Sequence, residues 1–183
     1  KARLEALTLE QNQALKALNE GLELKVSERV AELKQTMTFL ELANDKLKRN
    51  LISTVQAFSH LMELRSNGAN GQAKKMAQLC RKLAKQLGLN EAECQDAMIA
   101  GLLHEIGKIG LSDELIAKPL ASLSAKERTE FMRYPTYAEQ ALSGIDSLKL
   151  VAQALRSQHE RFDGKGFPSG LSGLEIPIIA RIL

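Results

Sequence analysis

The chain has 183 residues, of which 44 % are hydrophobic and 4 % aromatic, and its formal net charge at pH 7 is +3. This length can bury one hydrophobic core and carry an appended element. A nucleic-acid-binding surface would need clustered Lys and Arg with stacking aromatics, whereas the positive charges here are dispersed. No apolar run approaches the roughly 18 residues of a membrane span, and no secretory signal is visible. We therefore expect neither a nucleic-acid polymer nor a membrane among the partners.

The two cysteines, Cys80 and Cys94, do not have the spacing of a CxxC motif. Unpaired thiols in a reduced interior are the simplest interpretation, and they predict a cytoplasmic location. Lys1 is not an initiator Met and already lies inside a helical pattern, so we expect the chain to begin within a longer protein.

Residues 1–64 contain no Pro and one Gly, and their apolar residues recur at helical spacing, which predicts one long helix. From Val26 onward these residues alternate steps of four and three, which is the seam of a dimeric coiled coil. Asn44 occupies a core position of the seam, where a polar residue fixes register and favours a dimer. We predict a parallel homodimer, with packing of the helix on its own domain as the alternative. The predicted seam comprises Val26, Val30, Leu33, Met37, Leu40, Asn44, Leu47 and Leu51.

Residues 65–183 are predicted to form a separate helical domain. A Gly- and Asn-rich break at residues 66–71 opens it, and capping boxes at Asn90 and Ser124 start two of its helices. No alternating strand pattern is present. The predicted fold class is therefore all-α, a helical bundle preceded by a long coiled-coil helix, with helices at about 72–87, 90–107, 124 onward, 135–144 and 148–160 and a Gly-rich loop at 161–175.

His104 and Glu105 lie in the apolar stretch 100–108, so we expect both side chains to be buried and to need polar partners. One cation between the imidazole and the carboxylate would satisfy both, and hydrogen bonding within the protein is the alternative. On a continuous helix, His104 and Lys108 would share one face.

The order of these segments is similar to a known family. Residues 102–110 read Leu-Leu-His-Glu-Ile-Gly-Lys-Ile-Gly, and residues 159–168 read His-Glu-Arg-Phe-Asp-Gly-Lys-Gly-Phe-Pro. Over about residues 70–183 the chain resembles the HD-GYP family, bacterial phosphodiesterases of cyclic di-GMP within the HD superfamily. The resemblance implies an HD-type helical bundle with two or three metal ions, commonly iron or manganese.

Matched residue by residue, the resemblance implies a reduced metal site. The family's ligand histidines correspond to Gln72, Tyr134 and Gln158, its HD aspartate to Glu105, and its last Asp ligand to a position just past Leu183. His104, Glu105 and His159 remain, a set that holds at most one Fe or Mn ion. We therefore expect no resident cofactor, with one such ion as the alternative. Lys108 matches the family's Lys and would be catalytic in an active enzyme. His60 would join the site only if its helix folded over it; a solvated or core histidine is the alternative.

The loop that follows His159 has two interpretations, and the sequence does not choose between them. Glycines and Pro suit tight turns, whereas exposed glycine amides, basic side chains and an aromatic ring suit a phosphate and a base. The candidate residues are Arg161, Asp163, Gly164, Lys165, Gly166, Phe167 and Pro168.

Together these features predict a bacterial signal-transduction output module. Residues 25–33 resemble the helical linkers that follow receiver or sensor domains, so we expect such a domain upstream. The predicted module is a degenerate, non-catalytic HD-GYP domain that dimerises and binds a protein partner or a cyclic dinucleotide. One alternative is an active metal-dependent cyclic di-GMP phosphodiesterase. The other is a structural bundle that serves only as a dimerisation head.

Overall fold

The computed structural model describes residues 2–65 and 71–183, and within these ranges the fold is all-α, as predicted. Residues 66–70 of the break predicted at 66–71 lie outside the described residues. The helices are α1 (Ala2–Arg65), α2 (Gln72–Gln86), α3 (Glu91–Leu103), α4 (Asp113–Ala117), α5 (Ala125–Phe131), α6 (Tyr134–Leu142), α7 (Lys149–Arg156) and α8 (Ile178–Ile182). Short 3₁₀ segments are Ile106–Gly110, Leu120–Ser122, Asp146–Leu148 and Gly173–Glu175.

The chain divides into two units, residues 1–50 and 51–183. In the first unit the predicted seam side chains are exposed, from 45 % at Val30 to 68 % at Leu47. The homodimer stays a prediction. None of the described helices is both long and apolar enough to cross a bilayer.

The second unit begins within α1. Val55 and Met62 are buried, and Leu51 is partly buried against the core of this unit. Leu51, predicted as the last seam residue, therefore packs inside its own unit. The domain boundary predicted between residues 64 and 65 stays a prediction. The packing of residues 51–65 shows only where the compact unit starts.

The main core of the second unit forms between α2, α3 and α7, with α8 beside them. Ile99, Leu103 and Leu155 are among its fully buried large side chains. Small residues let the helices approach closely: a Cβ added at Gly101 in α3 would lie 2.7 Å from the Ala77 Cα in α2. Cys80 and Cys94 are buried in this core as free thiols, as predicted.

Helix starts agree with the sequence, and two helix ends do not. Both predicted capping boxes, at Asn90 and at Ser124, are formed. The helix expected to reach residue 107 ends at Leu103, because the chain tightens there into the 3₁₀ segment that contains two weak helix-forming glycines. The helix expected to reach residue 160 ends at Arg156, where the Ser157 amide donates to both Gln153 O and Ala154 O.

We expect Leu155→Ala to lower the free energy of unfolding by about 2–5 kcal/mol, since it opens a cavity in a fully buried site. Leu150→Ala, at a side chain that is 59 % exposed on the same helix, should change it by less than about 0.5 kcal/mol. Urea denaturation of both variants measures the difference. Equal losses would contradict the assignment of α7's buried face.

Candidate functional site

The His-Glu pair lies where α3 gives way to the 3₁₀ segment. The His104 Nδ1–H donates to the Gly101 carbonyl at 2.9 Å, and the Lys108 ammonium donates to the Glu105 carboxylate. His104 and Glu105 are half-buried, so the expectation of full burial was wrong. The expected helical face shared by His104 and Lys108 is also absent: with α3 ending at Leu103, Lys108 turns to Glu105 instead.

The turn after Glu105 is fixed by close packing against α6. A Cβ added at Gly107 would lie 1.9 Å from the Tyr134 carbonyl oxygen, so only glycine fits between the two backbones. The Lys108 amide also donates to the Glu105 carbonyl at 2.9 Å. The His-Glu turn is therefore held against the residue that opens α6.

Three rings stand together beside this turn. The Tyr134 hydroxyl is hydrogen-bonded to His159 Nε2, and the two ring centroids are 5.3 Å apart at an interplanar angle of 72°. Phe167 stacks on the His159 ring, with the two ring centroids 4.9 Å apart and an interplanar angle of 18°. The Phe167 amide donates to the His159 carbonyl at 3.2 Å. Tyr134, His159 and Phe167, all three singled out in the sequence, thus form one column.

Electrostatics keep this column neutral near pH 7. Burial raises the pKa of Tyr134, and the nearby Glu105 carboxylate raises it further. Burial lowers the pKa of His159, and the positive charge of Lys108 lowers it further. A neutral phenol therefore faces a neutral imidazole, which suits a hydrogen bond from the Tyr134 hydroxyl to the Nε2 lone pair.

Gln72 and Gln158, two further positions that the resemblance matches to family ligands, have different surroundings. Gln72 is the first residue of α2 and lines a cavity of about 20 Å³ together with Glu63, His104 and Glu105. That volume is far below the roughly 300 Å³ of a small ligand site. The Gln158 Nε2 is buried and has no hydrogen-bond partner. Among the buried side-chain nitrogen and oxygen atoms of the described residues, it alone lacks one.

Sequence reasoning missed Glu63, which binds the start of α2. Its Oε1 accepts from the Ala73 amide at 2.8 Å and its Oε2 from the Gly71 amide at 3.1 Å. Gly71, the N-cap residue, has no side chain to cap the helix, so Glu63 satisfies amides that the cap leaves open. The bond from Ala73 is the main reason why the pKa of Glu63 lies below its ordinary value of 4.5.

Arg65, the last residue of α1, was also missed. Its Nη1 donates to the Lys108 carbonyl at 3.1 Å and its Nη2 to the Leu111 carbonyl at 2.7 Å. Its Nε donates to Asp113 Oδ1 at 2.9 Å. These partners are 43 or more residues away along the chain. Sequence periodicity has no feature that predicts such bonds.

The Gly-rich loop is ordered by its own polar contacts. Glu160 accepts from the Ser169 amide at 2.6 Å and from the Leu171 amide at 3.0 Å. A Cβ at Gly166 would lie 2.3 Å from the Arg161 amide nitrogen, so glycine permits a close backbone approach. These contacts support the structural interpretation of the loop.

The charged side chains of the loop are partly engaged with each other. Arg161 pairs with Asp163 at 2.7 Å, and this bond lowers the Asp163 pKa to about 2. Asp163 also accepts from the Lys165 amide at 3.1 Å. Asp163 therefore occupies part of the Arg161 guanidinium, while the Lys165 side chain is exposed. Gly164 has a positive φ of 74°, and the Phe167–Pro168 peptide bond is cis.

An open groove lies over the ring column; we call it the aromatic groove. It combines two cationic side chains with aromatic and aliphatic walls, a composition that suits an anionic ligand with stacking rings. Its residues are Lys108, Leu120, Ala121, Arg128, Phe131, Met132, Tyr134, His159 and Phe167. Arg128 and the apolar wall from Leu120 to Met132 were not predicted from the sequence.

The expected metal ligands do not form a metal-binding group. Across residues 2–65 and 71–183, no three or more His, Cys, Asp or Glu side chains are placed to hold a metal ion. Glu105 is paired with Lys108 and His159 Nε2 with Tyr134, so two of the three expected ligands already have partners. The side chains described here therefore do not fit a two-metal centre. The one-ion site at His104, Glu105 and His159 stays a prediction.

His60 does not reach the His-Glu pair. Its side chain is exposed in a shallow groove with Gln56, Glu63 and Lys74. This agrees with the interpretation of His60 as a solvated histidine.

Comparisons with known proteins agree with the resemblance drawn from the two motifs. Residues 56–183 match the HD domain family. The cyclic di-GMP phosphodiesterase response regulator RpfG of Xanthomonas campestris pv. campestris (strain 8004) is 34 % identical over 132 residues, 71 % of this chain and 35 % of that protein. The 3'3'-cGAMP-specific phosphodiesterase 1 of Vibrio cholerae serotype O1 is 33 % identical over 134 residues, 73 % of this chain and 31 % of that protein.

A third relative, the cyclic di-GMP phosphodiesterase of Thermotoga maritima, is 32 % identical over 136 residues, 73 % of this chain and 36 % of that protein. The chain thus spans about a third of the length of these relatives. The predicted HD-GYP-like resemblance is confirmed.

Glu63→Gln should lower the free energy of unfolding by about 1 kcal/mol at pH 7, the usual effect of losing a helix cap. Because the folded-state pKa of Glu63 is depressed, the wild-type contribution is complete above the ordinary value of 4.5 and is lost as the pH falls through the folded-state pKa. The difference between wild type and variant should therefore shrink from pH 6 to about pH 3. Urea denaturation across this range measures it.

Glu130→Gln, at an exposed carboxylate of α5, is the control and should show no such trend. A wild-type advantage over Glu63→Gln that stays constant down to pH 3 would contradict the assigned role.

Proposed function

This chain belongs to the HD domain family, and we propose that it is a non-catalytic signalling module of the bacterial response-regulator type. In this proposal the chain dimerises through the seam in α1 and binds a cyclic dinucleotide without cleaving it, or contacts a protein partner. Members of the HD phosphodiesterase family usually bind divalent metal ions, so loss of the metal ligands is the decisive difference.

One observation carries the proposal: two of the three predicted metal ligands, Glu105 and His159, are bonded to other side chains. The Glu105 carboxylate already has a cation, the Lys108 ammonium, which is 19 % exposed against 30 % for Glu105. The His159 Nε2 already has a hydrogen bond from Tyr134, whose raised pKa makes it a poor anionic ligand. A metal ion at His159 Nε2 would have to displace the Tyr134 hydroxyl, and one at Glu105 Oε1 would compete with Lys108 for that oxygen.

The aromatic groove supports the nucleotide part of the proposal. Lys108 and Arg128 can pair with phosphate oxygens, and Phe131 and Phe167 offer ring faces or edges to a base. The relatives are named as phosphodiesterases of cyclic di-GMP and 3'3'-cGAMP, which are dianionic cyclic dinucleotides. We therefore assign the groove to a ligand of this class.

The dimer part rests on the seam. Seven seam side chains before Leu51 are exposed and follow the four–three spacing, with Asn44 among them. Leaving such a row in water costs the free energy that burial against a second helix recovers. A parallel partner copy would cover all seven at once.

The upstream receiver or sensor domain and the cytoplasmic location belong to the same proposal. RpfG is named as a response regulator, and this chain spans about a third of it. The free thiols of Cys80 and Cys94 suit a reducing compartment.

A second candidate function is a metal-dependent phosphodiesterase with an altered site. The relatives' names favour it, and so does His104, whose Nδ1–H donates to a backbone carbonyl as metal-binding imidazoles commonly do. Lys108 would then act on the phosphate.

We expect the purified chain, reconstituted anaerobically with Fe²⁺ or Mn²⁺ and desalted, to retain less than one metal ion per chain by plasma mass spectrometry. It should leave cyclic di-GMP intact under the same reducing conditions, yet bind it in calorimetry. Arg128→Gln should weaken this binding roughly tenfold, because it removes one charged hydrogen bond to phosphate. Lys126→Gln, on the same helix but outside the groove, is the matched control.

Two or more retained metals, or hydrolysis that His104→Ala abolishes, would replace the proposal with the phosphodiesterase. Absence of both metal and nucleotide binding would remove the nucleotide part and leave a scaffold for protein contacts.

Asn44→Leu should change the oligomeric order or the helix register of the whole chain. The polar Asn44 disfavours other registers and oligomers, and an apolar Leu at this seam position does not. Asp45→Leu adds the same side chain one residue off the seam and should leave the dimer unchanged. Analytical ultracentrifugation measures both. A wild-type chain that is monomeric at all concentrations, with Asn44→Leu equally monomeric, would reject the dimer.

A further inference from the structure

The last turn of α1 carries two oppositely charged side chains that bind both flanks of the His-Glu site. Arg65 binds the backbone that follows Glu105: its guanidinium holds the Lys108 and Leu111 carbonyls at 3.1 and 2.7 Å. Glu63 binds the backbone around Gln72 through the Gly71 and Ala73 amides at 3.1 and 2.8 Å. The two residues are two positions apart on one helix.

The Arg65 contacts fix the position of the backbone at Lys108 and Leu111. A planar guanidinium with donors in a rigid fork sets the distance and the angle between the groups that it binds. Its side chain is 28 % exposed, and the third partner, Asp113, is 83 % exposed. The ion pair with Asp113 is therefore a weak surface contact, and the two carbonyl bonds define the geometry.

These bonds lead directly to the charged pair of the site. The carbonyl that Arg65 holds belongs to Lys108, whose ammonium binds Glu105. The carboxylate of Glu63 lines the same small cavity as Gln72, His104 and Glu105. A shift of the last turn of α1 would therefore move backbone on both sides of the His-Glu pair.

We propose that Glu63 and Arg65 are positioning residues, through which the end of α1 sets the arrangement of Lys108 and the His-Glu pair and so regulates the aromatic groove. The ligand of the groove rests on the proposed function, whereas the mechanical link between α1 and the site does not. α1 is the helix that enters the second unit, so fraying or displacement of its last turn changes the groove without any ligand contact by α1.

The protein has three histidines, His60, His104 and His159, so the ring ¹H–¹⁵N spectrum of the whole chain reports each one separately. In Arg65→Gln we expect the His104 and His159 resonances to shift and that of His60 to stay in place. Arg65→Lys keeps the charge but loses the fork, and it should shift the same two resonances by less. Asp113→Asn removes only the exposed ion pair and is the matched control without a shift.

A second pair of variants tests the helix itself. Leu64→Gly loosens the last turn while keeping both positioning side chains, and it should reproduce part of the Arg65→Gln shift. Leu24→Gly makes the same change in the first unit and should not. Both leucines are exposed, at 59 % and 65 %, so core packing is not altered.

Binding of cyclic di-GMP separates the two proposals. Weaker binding, by roughly fivefold, in Arg65→Gln and Leu64→Gly together with the ring shifts supports positioning and regulation. If the histidine resonances shift in the variants but the wild-type protein does not bind cyclic di-GMP, the positioning role stands and the nucleotide part of the proposed function is rejected. A lower melting temperature with His104 and His159 at their wild-type resonances would show a structural anchor only and overturn the inference.

Discussion

The ion pair between Lys108 and Glu105 is the interaction on which the rest of the site depends. A half-buried carboxylate needs a positive partner, and in a metal-dependent relative of this kind a metal ion would supply it. Here the partner comes from the same turn of chain, three residues away. The pair forms because α3 ends at Leu103 and the following 3₁₀ segment brings Lys108 back over Glu105. Removing either partner would leave an uncompensated charge, so the turn and the pair stabilise each other.

The neutral ring column follows from that arrangement. Burial lowers the pKa of His159, and the neighbouring Lys108 ammonium lowers it further. Tyr134, beside the Glu105 carboxylate, keeps its proton. The two rings hydrogen-bond to each other, and Phe167 covers them. Tyr134, His159 and Phe167 therefore form a packed, hydrogen-bonded wall, and the open space lies above it in the aromatic groove.

In the proposed function, such a wall suits a site that recognises a ligand without attacking it. Recognition needs cations at the rim and ring faces, which Lys108, Arg128 and Phe167 supply. Regulation needs a link to the element that carries the input. Arg65 and Glu63 connect the last turn of α1 to both flanks of the His-Glu pair, and we assign the proposed link to these two residues.

The sequence by itself determined the all-α class, the long helix, both capping boxes, the free cysteines and the HD-type resemblance. All of these depend on local spacing or on residue types at fixed offsets, which a linear chain displays. It also located Tyr134, Gln158 and His159 as positions of interest. Only the tertiary structure decided their partners: that Tyr134 binds His159, that Lys108 takes Glu105 rather than sharing a face with His104, and that Arg65 reaches Lys108 and Leu111. The early ends of α3 and α7 belong to the same group. The reason is that Tyr134 with His159 and Arg65 with Lys108 and Leu111 join segments far apart in sequence. The turn in which Lys108 meets Glu105 is itself packed through Gly107 against Tyr134, and no local periodicity displays such contacts.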